Sequence, residues 1–519
     1  MIIALGVMLV TSLLLVAAFT AANGDIHLSH LDATQKQAYY AALSGVQEYE
    51  YKLEENPNYW QTCEGPAGTV PQPENAVERY EVTVLPASSR PKGVTACSKI
   101  NPFESTIESK GLLAHTFRIE AVGCAGKVEF ATCKEQSRSQ VSTRKLVATF
   151  QVSGFLSYVY FTQYEITDPA ALKENVAGCS HYRRQREELE SREGFTCEKI
   201  TWFSRDKNNG PVHTDDAAAI CGSPEFGRKS KVPPTDVAEI NGGIYDSGCG
   251  SGVAPIFNTP TKSFITGPEL IPPESDTSLA SYVKPENEFE GRTELELKGT
   301  TIKVTTLENK KKVENTIPWP TNNLIYVKST QAGCTYEYDP KSSDTIKTAE
   351  EEESCGTVFV HGTYGESLTI GADRDLVING NILPTGVSEG ATPTGTTTLG
   401  LIATRYVRVY HPCGPETGEE NGPRSLSNPW IYAAILSTSH SFLVDNWQCG
   451  KPLGKLNVEG AIAQKFRGPV GTFSGETIVS GYSKEYQYDD RLATEEPPYY
   501  LSPLKTGWRI ARETAPEGG

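Results

Sequence analysis

His213, Thr214, Asp215 and Asp216 close the run Gly210 to Asp216 and put an imidazole and two carboxylates within four residues. Those side chains can ligate a metal or carry a proton in acid–base work. A single strand turn offers at most two ligands to one ion, however, and no second ligand cluster accompanies it. Asp and Thr after a Gly-Pro pair commonly close local turn hydrogen bonds, so a structural role is expected. His27 and His30 stand one helical turn apart, where a solvated face suits them better than a metal site. Paired carboxylates are the other constellation to weigh, because glycoside hydrolysis needs two of them about 5 to 9.5 Å apart. Asp373 and Asp375 flank Arg374 in a turn between strand-like runs, and Asp489 and Asp490 sit in YDDRL. Neither pair comes with a convergent acid, base and positioning set. A P-loop run and a dinucleotide fingerprint are both absent. No catalytic, cofactor-binding or metal-binding residue is therefore assigned and no cofactor is expected; the chain reads as other than an enzyme, with a polysaccharide lyase or glycoside hydrolase as the alternative.

The elements that carry these residues begin with an uncharged run. No charged side chain occurs from Met1 to Ala22, and such a run in helical form spans roughly 33 Å, the thickness of a bilayer's hydrocarbon core. Ile2, Ile3, Leu5, Val7, Leu9, Val10, Leu13, Leu14, Leu15, Val16 and Phe19 are expected to anchor it in membrane lipid. The rival reading is a signal peptide cleaved near Ala21 and Ala22. It lacks a preceding Lys or Arg, and its apolar stretch is longer than a usual h-region. Beyond it, Leu31, Ala38, Ala42, Val46, Tyr49 and Leu53 recur at helical spacing, with Lys36, Gln37, Glu48, Lys52 and Glu55 on the other side. That pattern predicts an amphipathic helix ended by Asn56-Pro57, since a residue before proline is pushed out of the α region.

With 519 residues the chain exceeds the size of a single core, and two or three domains are expected. A net charge of -16 repels phosphate backbones, which argues against a nucleic-acid partner. The 12 cysteines include no pair separated by two residues, the spacing of zinc and redox motifs. Disulfides in an oxidising compartment account for them best. Connectivity cannot be read from sequence, but neighbour pairing is the simplest reading: Cys63 with Cys97, Cys124 with Cys133, Cys179 with Cys197, Cys221 with Cys249, Cys334 with Cys355, and Cys413 with Cys449.

The string from Ile3 to Trp60, with YYAALSG at Tyr39 to Gly45, resembles the N-terminal region of PilX-type type IV pilus assembly proteins. In that family the apolar half of the helix packs in the membrane or filament core and the remainder carries an exported domain. The resemblance implies a pilin-like surface component, single-pass in the cytoplasmic membrane and exported in bulk, with other pilin-like subunits as partners. A prepilin opens with a short basic leader, whereas this chain opens at Met1-Ile2-Ile3, and the expectation is that a leader is encoded upstream. The block from 155 to 227 is similar to a segment found downstream of PilX-type stems, marked by Gly-Pro-x-His-Thr-Asn-Asp. Asp215 stands here where Asn is usual. The segment brings no catalytic residues with it.

Alternating runs such as VERYEVTVL, HTFRIEAVG, KVEFATC and KLVATFQVSG predict β-strands. From about 296 short apolar clusters recur roughly every 20 to 30 residues between Gly, Asn and Asp turns, a solenoid-like pattern. The fold class expected is mainly β with a long N-terminal α-helix, a small disulfide-bonded β-domain and a C-terminal right-handed parallel β-helix, a β-sandwich being the alternative. The expected division is 1–22 transmembrane stem, 23–57 extramembrane helix, 58–227 disulfide-stapled domain, 228–295 Pro/Gly/Ser-rich linker or wrap, 296–500 β-helix-like domain and 501–519 tail. The function expected is that of a structural or assembly component of a type IV pilus or related filament. A membrane-tethered carbohydrate-active enzyme and a tethered binding module are the alternatives.

Overall fold

The amphipathic pattern produces a helix over 32–55, and its apolar positions Ala38, Ala42, Val46, Tyr49 and Leu53 are fully buried. The structure, a computed structural model, describes residues 32–514 apart from 57, 71–76, 89, 91, 109–115, 127–132, 134–140, 194–195, 309–310, 332, 335–352, 414–419, 423, 475–476 and 505–506. The run 1–22 with its anchor residues, His27, His30 and Leu31 lie outside the described residues, as does most of KVEFATC. Among the described residues no helix is long and apolar enough to cross a membrane. The chain divides into two units, 1–153 with 507–519, and 154–506.

In the first unit the helix lies on an antiparallel sheet of five strands, in the order Ala67–Val70, Val77–Leu85, Thr116–Gly126, Val141–Ser153 and Gly507–Thr514. Its apolar stripe packs on Val82, Val84, Phe117, Ile119, Ala121, Leu146, Ala148 and Phe150. Alternation along each strand delivers these residues to one face. Close approach depends on Gly123, because a Cβ there would stand 2.0 Å from the Ala38 carbonyl oxygen and 2.3 Å from the Ala42 nitrogen. Residues 507–514, expected as part of a tail, instead form the fifth strand, and Trp508 meets Phe117 edge-on at 4.7 Å. Ser153 and Gly507 are paired partners in that sheet, so the second unit is inserted between two adjacent residues of one antiparallel ladder.

The second unit is built on parallel pairing. One ladder runs through Glu288–Glu290, Leu324–Lys328, Leu368–Ala372, Leu399–Ala403, Trp430–Ser437, Pro452–Phe466, Tyr160–Tyr164, Val212–Thr214 and Ala238–Ile240. A second runs through Thr293–Gly299, Val358–Tyr364, Leu376–Pro384, Trp430–Ser437, Pro452–Phe466 and Thr477–Tyr488, then Lys207–Asn209, Glu225–Phe226 and Ile256–Phe257. Thr201–Phe203, Ala218–Cys221 and Ile244–Asp246 form a third. Such parallel stacking is not the antiparallel face-to-face arrangement of a sandwich. Between the ladders Leu295, Val327, Val360, Ile370, Ile378, Leu401, Ile435 and Val458 fill one continuous core.

Stacking order departs from chain order. Strand Tyr160–Tyr164 pairs with Pro452–Phe466 and Lys207–Asn209 with Thr477–Tyr488, so strands of residues 154–257 extend the parallel ladders formed by residues 288–488. Buried charges cross this junction. Arg467 Nη1 donates to Glu165 Oε2 at 2.9 Å while its guanidinium lies 3.6 Å over the Trp202 ring, and Lys484 Nζ meets Asp206 at 3.1 Å. Burial pulls the Lys484 amine down to about 8.

The expected linker 228–295 is structured. It contributes Ala238–Ile240, Ile244–Asp246, Ile256–Phe257, Glu288–Glu290 and Thr293–Gly299 to the ladders, with a strap between them. The strap is held by Asp276, which accepts from Thr404 Oγ1 at 2.8 Å, the Ala372 amide at 2.9 Å and Tyr326 Oη at 3.2 Å. Between 238 and 290 the strands are only two or three residues long and lie among Gly and Pro, which leaves no periodicity to read. Six disulfides join the neighbouring cysteines: Cys63–Cys97, Cys124–Cys133, Cys179–Cys197, Cys221–Cys249, Cys334–Cys355 and Cys413–Cys449.

Candidate functional site

The structure uses His213 as a buried strut. Val212–Thr214 sits inside the first ladder, and the imidazole, wholly buried, is clamped between carboxylates: Nδ1 is 2.7 Å from Glu239 Oε2 and Nε2 is 2.9 Å from Asp215 Oδ1. Tyr158 Oη also donates to Glu239, at 2.6 Å. Burial alone would lower the imidazole's pKa, but the two carboxylates outweigh it and raise the group to about 9. Asp216 accepts from Arg186 at 2.8 Å and from the amides of Glu165 and Arg183. These contacts tie neighbouring strands and loops together, and His213, Thr214, Asp215 and Asp216 are all buried.

The paired carboxylates are occupied in a similar way. Asp373 accepts from the Ser329 amide at 2.8 Å and Ser329 Oγ at 3.0 Å, and Asp375 from the Tyr406 amide at 3.2 Å. Asp489 caps the 3-10 turn Asp490–Ala493 and binds Arg491 Nη2 at 2.7 Å. Asp490 bridges Arg228 and Lys231 at 2.8 and 2.9 Å. Among the described residues, no group of three or more His, Cys, Asp or Glu is placed to hold a metal ion.

A groove elsewhere in the second unit gathers chemistry that the sequence did not single out. The antiparallel hairpin of Thr301–Glu308 and Lys311–Pro318 continues from strand Thr293–Gly299. Leu295, Val304, Val358, Val360 and Ile378 turn into the core. Alternation therefore sends Thr305, Glu294, Phe359 and Val377 to the opposite face, where they stand in register across four strands. Leu307 and Lys312 are partners on the same hairpin face. The result is a groove of about 460 Å³ lined by residues that include Arg292, Glu294, Lys312, His361, Asn379 and Arg424.

Local backbone irregularity aims two of these groups. The register between Val358–Tyr364 and Leu376–Pro384 shifts between Val360 and Gly362, a bulge of the kind that re-aims side chains. Gly362 has φ 111, and a Cβ on Gly380 would stand 2.8 Å from that of His361. His361 Nδ1 then donates to Asn379 Oδ1 at 3.0 Å, and Asn379 Nδ2 donates to Glu294 Oε1 at 3.2 Å. Phe359, Val377 and Tyr410 form an apolar floor. Arg292 lies 4.2 Å over the Phe359 ring, and Arg424 lies over Tyr410 while donating to its hydroxyl at 3.1 Å. Burial raises the Tyr410 phenol's pKa, with Arg424 pulling the other way. The sequence signal was present in His361-Gly362 and Asn379-Gly380, since glycine inside a strand pattern marks a bulge or close backbone approach.

No protein-family model matches the sequence, and no curated protein is recognisably similar to it. Among solved structures, the chain aligns with the competence-associated pilin ComZ from Thermus thermophilus at 12% identity and a TM-score of 0.24, over 92% of this chain and 98% of that one, a likeness too weak to carry an argument about function.

Proposed function

We propose that the protein is a membrane-anchored, surface-exposed pilin-like component of a type IV pilus or a related filament. One observation carries the reading: the helix 32–55, which follows the uncharged run 1–22, packs its apolar stripe on an antiparallel sheet that holds a whole second unit between paired residues Ser153 and Gly507. In this reading the apolar run sits in lipid or among other pilin-like helices, the first unit is the subunit body, and the second is cargo for display. The second unit is read as a right-handed parallel β-helix, on the support of its in-register parallel ladders and continuous core. The turn and ladder contacts of Asp373, Asp375, Asp489 and Asp490 support display rather than glycoside hydrolysis.

The test is mass spectrometry of the protein's N-terminus after isolation from its native cells, from membranes and from sheared surface fibres. Enrichment in fibres with an N-methylated terminus at or just before Met1 is the expected outcome. A terminus near Asn23, with the protein free in the medium, would sink the reading.

A further inference from the structure

We propose that the groove between the hairpin and the outer strand face binds a segment of an acidic polysaccharide. Its size, about 460 Å³, falls within the roughly 300–1,000 Å³ typical of small-ligand sites. Three cationic side chains, Arg292, Lys312 and Arg424, line it in a protein whose net charge is -16, a local reversal of sign. Both guanidiniums rest on aromatic rings, Phe359 and Tyr410. Arg292 is held 4.2 Å over its ring and Arg424 by its bond to the Tyr410 hydroxyl, and a guanidinium fork matches a carboxylate in bidentate fashion.

The neutral and acidic groups narrow the ligand further. The directed chain from His361 through Asn379 to Glu294 places a proton on His361 Nδ1 and holds the ring's orientation. Glu294 offers carboxylate oxygens beside the cations. A ligand carrying anions alone meets repulsion at Glu294. A uronate chain brings carboxylates for the cations and hydroxyl donors for Glu294 within one sugar unit. The proposal stands apart from the filament reading, because a protein released into the medium would bind the same chain.

The experiment is equilibrium binding of fluorescently labelled oligogalacturonate to the full chain purified in mild detergent, at physiological ionic strength. A neutral oligoglucan of equal length and polyphosphate serve as comparison ligands. The expected result is binding of the oligogalacturonate and not of the neutral chain. The double variant Lys312→Gln/Arg424→Gln is expected to weaken it by about tenfold or more, since it loses charge-assisted hydrogen bonds. Glu294→Gln is expected to weaken it as well, and Lys262→Gln, an exposed lysine outside the groove, to leave it unchanged. The proposal is overturned by any one of three results: no oligogalacturonate binding; binding indifferent to both groove variants; or polyphosphate bound as tightly and tightened further by Glu294→Gln. Circular dichroism of each variant, matched to the parent, separates lost contacts from lost folding.

Discussion

Replacing His213 with Gln should make the protein's stability less dependent on pH in a defined direction. In the folded chain the imidazole sits between Asp215 and Glu239, with Tyr158 tilted against it and Phe161 stacked on it at ring-centroid distances of 5.1 and 5.6 Å. Its pKa stands at about 9 against 6.5 for the free side chain. A folded-state pKa above the unfolded one means that the protonated ring stabilises the fold. That contribution is complete below pH 6.5 and fades as the pH rises through 9. The gap of roughly 2.5 pH units, at 1.36 kcal/mol each, corresponds to about 3 kcal/mol. The assay is urea unfolding of parent and His213→Gln followed by tryptophan fluorescence, at pH 6 and pH 10. The parent's advantage over the variant should be about 3 kcal/mol larger at pH 6 than at pH 10. An advantage equal at the two pH values, or larger at pH 10, would refute the view that His213 is a charged strut.

Two further substitutions probe the packing of each unit by itself. Gly123→Ala drives a methyl group into the backbone at Ala38 and Ala42; backbone cannot yield as a side chain can, so a loss of about 2 kcal/mol or more is expected in chemical denaturation of the first unit. Arg467→Met leaves Glu165 with its Trp202 contact and Asp206 with Lys484, but strips the guanidinium from a wholly buried cluster. Removing one partner of a buried pair costs about 3–5 kcal/mol. Hydrogen exchange should locate the loss of protection at the junction strands Tyr160–Tyr164 and Pro452–Phe466.

Beyond the glycines of His361-Gly362 and Asn379-Gly380, the groove was not legible in the sequence, for a concrete reason. Its lining comes from positions 292 to 424, and what unites them is strand register, such as Thr305 opposite Glu294 opposite Phe359. Backbone hydrogen bonds set that register, and they carry no residue-type signature. The candidate carboxylates were visible as residue types, but their turn and cap partners were not. The interleaved stack was hidden by distance in sequence: Gln464 reaches the Tyr160 hydroxyl across 304 positions.

What the sequence determined alone was local. Helical spacing named the buried face Ala38, Ala42, Val46, Tyr49 and Leu53, proline ended the helix, and alternation marked strands such as Val77–Leu85. Cysteine spacing pointed to short loops, and the bonds close them between neighbours. Only tertiary structure decided that 507–514 returns to the first sheet, that 228–295 supplies strands and a strap, and that strands from 160 onward extend ladders formed by residues 288–488. The physical reason is that periodicity records which way a side chain faces. Parallel pairing is decided by which backbone edge remains free when the chain returns to it.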